Sequence, residues 1–544
     1  MIVRISGGHV VDPLSGRNET GDVWIEDGKI VAPPQGQSAD AEYDARNCLV
    51  MAGAIDIHSH IAGANVATAR LMLPEAHAAY MARPAQTQLA AAGWTAEETG
   101  RRYARMGFTT VVEPAVSPHL ALHAHLELSD IPIIDKAVLA VLGNDDYLLS
   151  ALRKGEGATA VADYVALTLQ ATRALGVKCI NAGGAMAFKE NVRAFSLDDV
   201  VPQYGLTSRQ IMEALQDAAV KLKLAHPLHL HMNNLGLPGN VETAIATIDA
   251  ARGLPLHLAH LQFYAYGKEG GRAFSSAAAQ LAEKVNASPH VTVDIGQVMF
   301  SDTVTISLDV LRQFTGLKTA RPRKGFIYDG DINSAGVVPY SYKRSDFFNA
   351  VQWACGLELF LLIDDPWRVF FTTDHPNGAP FTVYPEIFAL LTSRDRRAEW
   401  LASLPKGVAE TTTLGSIRRE YTFEELAIMT RAAPAKLLGM RDRGSLAAGA
   451  TADVAVYGLH KDRAKMFAAA RYLFKDGALV VRNGEIVHAP YGRTFRATPG
   501  FDRAIERRLD RYYTSLYGLK RDLFSVPDFA LPRPQAFGEV PCLA

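Results

Sequence analysis

The sequence predicts an α/β protein: a (β/α)8 TIM-like barrel carrying a small composite β-domain formed from both termini. Two observations lead there. Between residues 53 and 374, eight short apolar strand signals alternate with mainly helical connections. At both ends of the chain, short strand signals separated by tight-turn dipeptides replace that alternation.

The opening 50 residues contain IVRISGGHVVD, GDVWIEDGKIV and AEYDARNCLV, and the far end contains ADVAVYG (452–458) and ALVVRNGEIVHA (478–489). Asp27-Gly28, Asp476-Gly477 and Asn483-Gly484 predict hairpins, because Asp-Gly and Asn-Gly accept the positive φ of a two-residue turn. Residues 1–50 plus 435–490 are therefore read as one composite β-domain, 51–434 as the barrel and 491–544 as a C-terminal extension.

The barrel strands are read in GAIDIHSHI (53–61), GFTTVVEPA (107–115), IIDKAVLAVLG (133–143) and VKCINAG (177–183). They continue in HPLHLHM (226–232), LPLHLAH (254–260), HVTVDIG (290–296) and RVFFTTD (368–374). Helical stretches lie between several of them, one introduced by the capping-box pattern Thr207-x-x-Gln210. Segments 62–105 and 297–365 exceed what one connection needs and read as insertions on the catalytic face. In the extension, FDRAIERRLDRYYTSLYGLKRDLF has helical periodicity; it either packs back on its own barrel or docks another subunit.

Of the 544 residues 48% are hydrophobic and the formal net charge is −1, so a general nucleic-acid binder, with its basic surplus, is not expected. No apolar run approaches the ~18 residues of a membrane span. MIVRISGGHVVD reads as a strand and turn rather than a signal peptide. Four scattered cysteines form no paired spacing, which fits a reducing, cytoplasmic setting.

Catalytic residues of such barrels sit at the C-terminal ends of strands. Here the first strand ends in His58-Ser59-His60, the fourth carries Lys178, and the fifth ends with His229 and His231. The sixth ends in His260 and the eighth in Asp374-His375. Their intervals are multiples of a strand–helix unit of roughly 30 residues, enlarged by insertions. Neutral imidazoles suit zinc and similar divalent metals. Two adjacent cations need an anionic bridge, and a lysine supplies one only once carbon dioxide has converted it to a carbamate. An aspartate on the last strand can bind one metal and take the proton of an attacking water. Each residue also has a structural reading: His229 lies one layer deeper than His231, His257 should face away and pack, and Lys189 rivals Lys178.

With these residues in place, the chain over about 1–490 resembles the amidohydrolase superfamily, in its subtype with two metals bridged by a carboxylated lysine. PAKLLGM and RGSLAAGATADVAVY (434–457) are similar to the return into that family's composite β-domain. Within the superfamily the sequence most resembles the A-subunit family of formylmethanofuran dehydrogenase, including its bacterial branch in formyltransferase/hydrolase complexes. GGHVVDPLSG, VKCINAGG, HLHMNNLGLPGN, HLAHLQFYAYG and TTDHPNGAPF carry that likeness. The resemblance implies hydrolysis of a formyl-methanofuran or methylofuran-type carrier to formate and free amine, within a multi-subunit complex.

It also implies two divalent ions, zinc for preference, held by His58, His60, carboxylated Lys178, His231, His260 and Asp374, with Asp374 as proton acceptor. Lys178 is favoured over Lys189, and His231 over His229. Asn233, Asn234 and Tyr264, just past ligand positions, are expected to contact substrate. The basic KTARPRK (318–324), with Arg321, Arg323 and Lys324, is either a solvated loop or a grip on an acidic carrier tail. Two other functions stay open: an amidohydrolase for cyclic amides such as hydantoins or dihydroorotate, and a non-catalytic scaffold. No redox-cofactor motif is present, so oxidation of formate would need another chain.

Overall fold

The computed structural model describes residues 1–36, 38–73, 96–184, 187, 192, 194–306, 328–330, 335–531 and 537–543. Eight strands form the barrel: β1 (Ala54–Asp56), β2 (Phe108–Val116), β3 (Asp135–Leu142), β4 (Gly176–Ile180), β5 (Leu228–His231), β6 (Leu256–Leu258), β7 (Val291–Asp294) and β8 (Val369–Phe370). Each pairs in parallel with the next. A parallel bridge between Ser59 and His375, with His60 N–H donating to His375 O at 2.8 Å, brings β8 back to β1. The strands read as near-continuous apolar runs because both faces are covered, by barrel interior on one side and helices on the other. Helix Ser208–Lys221 starts with the expected reciprocal cap: Thr207 accepts from Gln210 N–H, and the Gln210 side chain accepts from Thr207 N–H.

A nine-stranded mixed sheet is built from both ends of the chain. Its seam is Cys48–Ala52, parallel to Ile2–Asp12 on one side and antiparallel to Val454–Gly458 on the other. All three Asp/Asn-Gly pairs have positive φ at both residues and close hairpins. A buried ion cluster clamps this sheet to the base of the barrel. Asp135, first residue of β3, meets Arg443 at 3.0 Å and Lys475 at 3.2 Å, and Lys475 also meets Asp453 at 3.1 Å. Both cations also reach Asp476, and Arg443 reaches Asp442, so the buried charges are met by carboxylates on several sides.

The two insertions meet over the C-terminal ends of the strands. Helix Ala64–Met72 packs Ala69 and neighbouring Leu73 on Val304 and Val337 of a small antiparallel sheet (Asp302–Ile306, Tyr328–Gly330, Ala335–Ser341). Residues 318–324, where the basic loop was expected, lie outside the described residues, as does Lys189.

The extension packs on the barrel. Thr494–Ala497 runs parallel to β3 at Lys136 and Ala137, below the point where β3 begins to pair with β4 at Leu139. Phe537–Val540 adds a further parallel strand. Helix Ala504–Tyr517 buries Ile505 and Leu509; its Arg508 reaches Tyr147 and Glu156, and Tyr512 donates to Asp146. Among the described residues no helix is long and apolar enough to cross a membrane.

Candidate metal centre

The strand ends open into one cavity of about 350 Å³ at the C-terminal face of the barrel. His58, His60, Lys178, His231, His260 and Asp374 all line it. They reach it from the ends of β1, β4, β5, β6 and β8 because the chain turns sharply there. His260 and Asp374 adopt left-handed backbones, with φ of 34° and 52°. Beside them, Gly296 has no room for a side chain: a Cβ would stand 2.4 Å from His260 Cβ.

His58 and His60 are each held from behind by a carboxylate. His58 Nδ1 lies 2.9 Å from Asp294 Oδ2, and His60 Nδ1 lies 3.0 Å from Glu113 Oε1. A proton on Nδ1 satisfies each carboxylate and leaves Nε2 with its lone pair toward the cavity, the arrangement metal-binding histidines use. Both Nε2 atoms face Asp374 Oδ1, at 3.1 and 3.2 Å, yet neither contact has hydrogen-bond alignment. The three ligand atoms lie within 4.8 Å of one another, close enough to share one cation. Asp374 Oδ2 accepts from Asn377 Nδ2 at 3.1 Å, which fixes which oxygen faces the histidines.

The other half of the cradle holds Lys178, His231 and His260. His260 Nε2 lies 3.0 Å from His231 Nδ1. Lys178 Nζ is buried with no hydrogen-bond partner among the described residues. Burial pushes the Lys178 ammonium down to about 8, against the opposing pull of Asp294 and Asp374. Burial likewise drives His260 down to about 3 and His231 well below the ordinary imidazole value, so both are neutral donors at pH 7. At His60 burial works the same way, but Glu113 and Asp374 overcome it and hold the imidazole up at about 9. The two carboxylates that hold a proton on His60 would equally favour a metal cation in that proton's place. The donor set, three imidazoles with inward lone pairs, a carboxylate oxygen lacking an aligned donor and an orphaned lysine nitrogen, suits divalent metal.

A deeper cluster lies beneath the cavity. His229 Nε2 is 3.0 Å from His58 Nδ1, and His226 Nε2 is 3.1 Å from His229 Nδ1. His257 Nε2 reaches Asp294 Oδ2 at 3.0 Å, while Asp294 Oδ1 accepts from His260 N–H at 2.7 Å. His58, His229 and Asp294 also converge, but His229 and Asp294 do not line the cavity, and hydrogen bonds among neighbours account for them. His257 does not face away as expected. β6 ends at Leu258, so the chain turns before His260 and the parity between the two histidines is lost.

The three expected substrate contacts sit outside the cavity wall. Asn233 Nδ2 donates to Ser208 Oγ at 2.8 Å. Asn234 donates to Thr243 Oγ1 at 3.1 Å and accepts from Phe195 N–H at 2.7 Å. Tyr264 donates to Met232 O at 2.8 Å and stacks on His260. Residues the sequence reading passed over also stand at the site: Glu113 and Asp294 behind the histidines, and Asn144, Asn181 and Asn377 on the cavity wall. A signal for the first two was available, since each is a carboxylate at the end of an apolar strand run, VVEPA and VTVDIG.

Comparison with known proteins identifies the family. The family described as "Amidohydrolase family" matches residues 41–488. The A-subunit of the formyltransferase/hydrolase complex Fhc of Methylorubrum extorquens is 50% identical over the whole of both chains. Protein FwdA of Methanocaldococcus jannaschii is 38% identical over 90% of each. A crystal structure of the Methylorubrum FhcABCD complex with methylofuran superposes with a TM-score of 0.94 at 49% identity over the full length of both chains. The N-acyl-D-glutamate deacylase of Bordetella bronchiseptica, at 16% identity and a TM-score of 0.52 over 90% of this chain and 98% of its own, shares the fold. With its barrel, its histidine-rich strand ends and its matched length, the chain belongs to the amidohydrolase family.

Proposed function

We propose that this protein hydrolyses an N-formyl amide on a methylofuran-type carrier, releasing formate and the free amine, as a cytoplasmic subunit of a formyltransferase/hydrolase complex. The observation that carries the reading is the convergence of His58, His60, Lys178, His231, His260 and Asp374 on one cavity. Full-length similarity to a member of such a complex supports the choice of carrier and of partner subunits.

Two divalent ions in this cradle, zinc for preference, would acidify a water and polarise the formyl oxygen. The chain's own residues do the rest. Carboxylated Lys178 turns a repulsive ammonium into an anion with two donor oxygens. Its depressed basicity leaves a useful fraction of free amine to attack carbon dioxide, with release of one proton. Asp374 takes the proton of the attacking water and delivers it to the departing amine nitrogen. Asn377 keeps one oxygen of Asp374 occupied, so the other stays directed at the cavity. Asp294 and Glu113 hold the rings of His58 and His60 in the orientation the site needs.

The test is the complex purified with its partner subunits and assayed for metal content and for formate release from formyl-methylofuran. About two metals per chain and catalysed formate release are expected. In Asp374→Asn, metal should largely remain while formate release falls by about 100-fold or more. Near-normal release by that variant would remove Asp374 from its role. Ring opening of a cyclic amide without deformylation would replace the substrate class, and a metal content well below one per chain would favour a scaffold.

A further inference from the structure

His58 and Asp374 follow the first and last strands of the barrel, at a seam that regular pairing does not close. β1 pairs with β2 and β8 with β7, but β1 and β8 share no run of paired residues. Across that seam the backbones meet at the bridge between Ser59 and His375 and at the bond from His60 N–H to His375 O. Around the rest of the barrel, ladders of backbone hydrogen bonds set the spacing of neighbouring strand ends. Here a side chain supplies the missing tie.

Thr372 stands two residues past β8, fully buried, with its hydroxyl turned to both segments at once. Oγ1 donates to His58 O at 2.5 Å and accepts from Asp374 N–H at 3.0 Å. A hydroxyl has one proton and two lone pairs, so a single rotamer performs both roles. Neither backbone group has a backbone partner among the described residues, and leaving either unpaired in this buried position would be costly.

Both anchors are fixed in turn. His58 N–H donates to Asp56 Oδ1 at 3.0 Å, and Asp56 Oδ2 accepts from Tyr384 at 2.5 Å and Tyr103 at 2.8 Å. Asp374, with its left-handed φ, accepts at its carbonyl from Asn377 N–H at 2.7 Å. The Thr372 hydroxyl thus joins two rigid turns whose side chains bring His58 Nε2 to 3.1 Å from Asp374 Oδ1.

We infer that Thr372 is a positioning residue: its hydroxyl sets the separation of His58 and Asp374, and through them the affinity for the ion these two share with His60. This rests on the proposed metal-dependent reading and adds an asymmetry to it. Lys178, His231 and His260 follow β4, β5 and β6, whose ladders to their neighbours are independent of Thr372. Removing the hydroxyl should therefore loosen one half of the cradle and spare the other.

The experiment is zinc binding by the purified complex, resolved into its two steps by chelator competition. Thr372→Val keeps the shape and removes the hydroxyl; Thr372→Ala removes it without setting a methyl group against the two backbone groups; Thr372→Ser restores it. In both variants without the hydroxyl, one zinc should lose about 10- to 100-fold in affinity while the other stays within about threefold. Thr372→Ser should hold both within about threefold of wild type. Equal weakening of both ions, unchanged affinity for both, or a Thr372→Ser protein as impaired as Thr372→Val would overturn the inference. A wild-type complex holding well below one zinc per chain would instead overturn the metal-dependent reading, which keeps the two failures apart.

Discussion

Asp294, at the end of β7, grips His58 by the ring nitrogen that faces away from the cavity, Oδ2 to Nδ1 at 2.9 Å. The same carboxylate accepts from His257 and from the backbone of His260, so one side chain orders three histidines. Salt-bridging to these rings outweighs burial and holds it well below the ordinary carboxylate range. Replacing Asp294 with Asn keeps the shape but weakens the pull on His58. Metal affinity is expected to fall about 10- to 100-fold, read by chelator competition, with the protein still folded. Unchanged affinity would reduce Asp294 to a packing role.

Lys178 gives a second test. If the lysine must be carboxylated to hold the metals, protein stripped of metal should reload to about two zinc ions per chain only when bicarbonate is supplied. Lys178→Ala should fail to reload with or without it. Equal recovery in carbon dioxide-free buffer would contradict the carbamate.

A pH test lies away from the cavity. His125, on helix Ala121–Asp130, is completely buried, with Nε2 against Thr172 O at 2.9 Å. Burial pushes it down to about 4, so the folded protein keeps it neutral where the unfolded chain, near 6.5, takes up a proton. Its stabilising contribution is therefore complete above pH 6.5 and is lost as pH falls from 6.5 through 4, by an amount on the order of 3 kcal/mol. His125→Gln should flatten the acid limb of urea-unfolding stability relative to wild type. Parallel curves would count against the assignment.

The C-terminal extension supplies a fourth. Phe495 and Val540 are buried among Ile55, Val112, Ala137 and Leu139 at the base of the barrel. Each apolar side chain of that size contributes about 1.5–3 kcal/mol on burial, and truncation would also bare the hydrogen-bonding edge of β3. Removal of residues 491–544 should give insoluble chain, or a soluble remnant with a sharply lower Tm. A well-behaved truncate with the wild-type Tm would make the extension an accessory.

Much of this was legible in the sequence. The eight strands were marked by buried apolar runs, and the residues that gather at the cavity by their places at strand ends, since a strand fixes where its last side chain points. Glu113 and Asp294 obeyed the same rule and could have been read that way. Asn233, Asn234 and Tyr264 were expected to touch substrate because they follow His231 and His260 in the chain. Beyond a strand end, however, the backbone turns, and their polar groups are taken up by Ser208, Thr243, Phe195 and Met232. The helix of the extension was visible in its periodicity. The pairing of Thr494–Ala497 with β3 was not, because it depends on how far β3 and β4 splay apart at the base of the barrel, which no local pattern encodes.

That late strand also sets a timetable. The backbone of Arg493 bonds to Asp135 across 358 residues of chain. At about 5–20 residues per second of synthesis, the foot of β3 waits roughly 20–70 s after leaving the ribosome before its neighbour exists. Folding from the N-terminus can bring all eight barrel strands together before this added strand is made. A nascent chain that ends before residue 494 leaves the β3 edge at Lys136 and Ala137 without its neighbour, even after β8 has returned to β1.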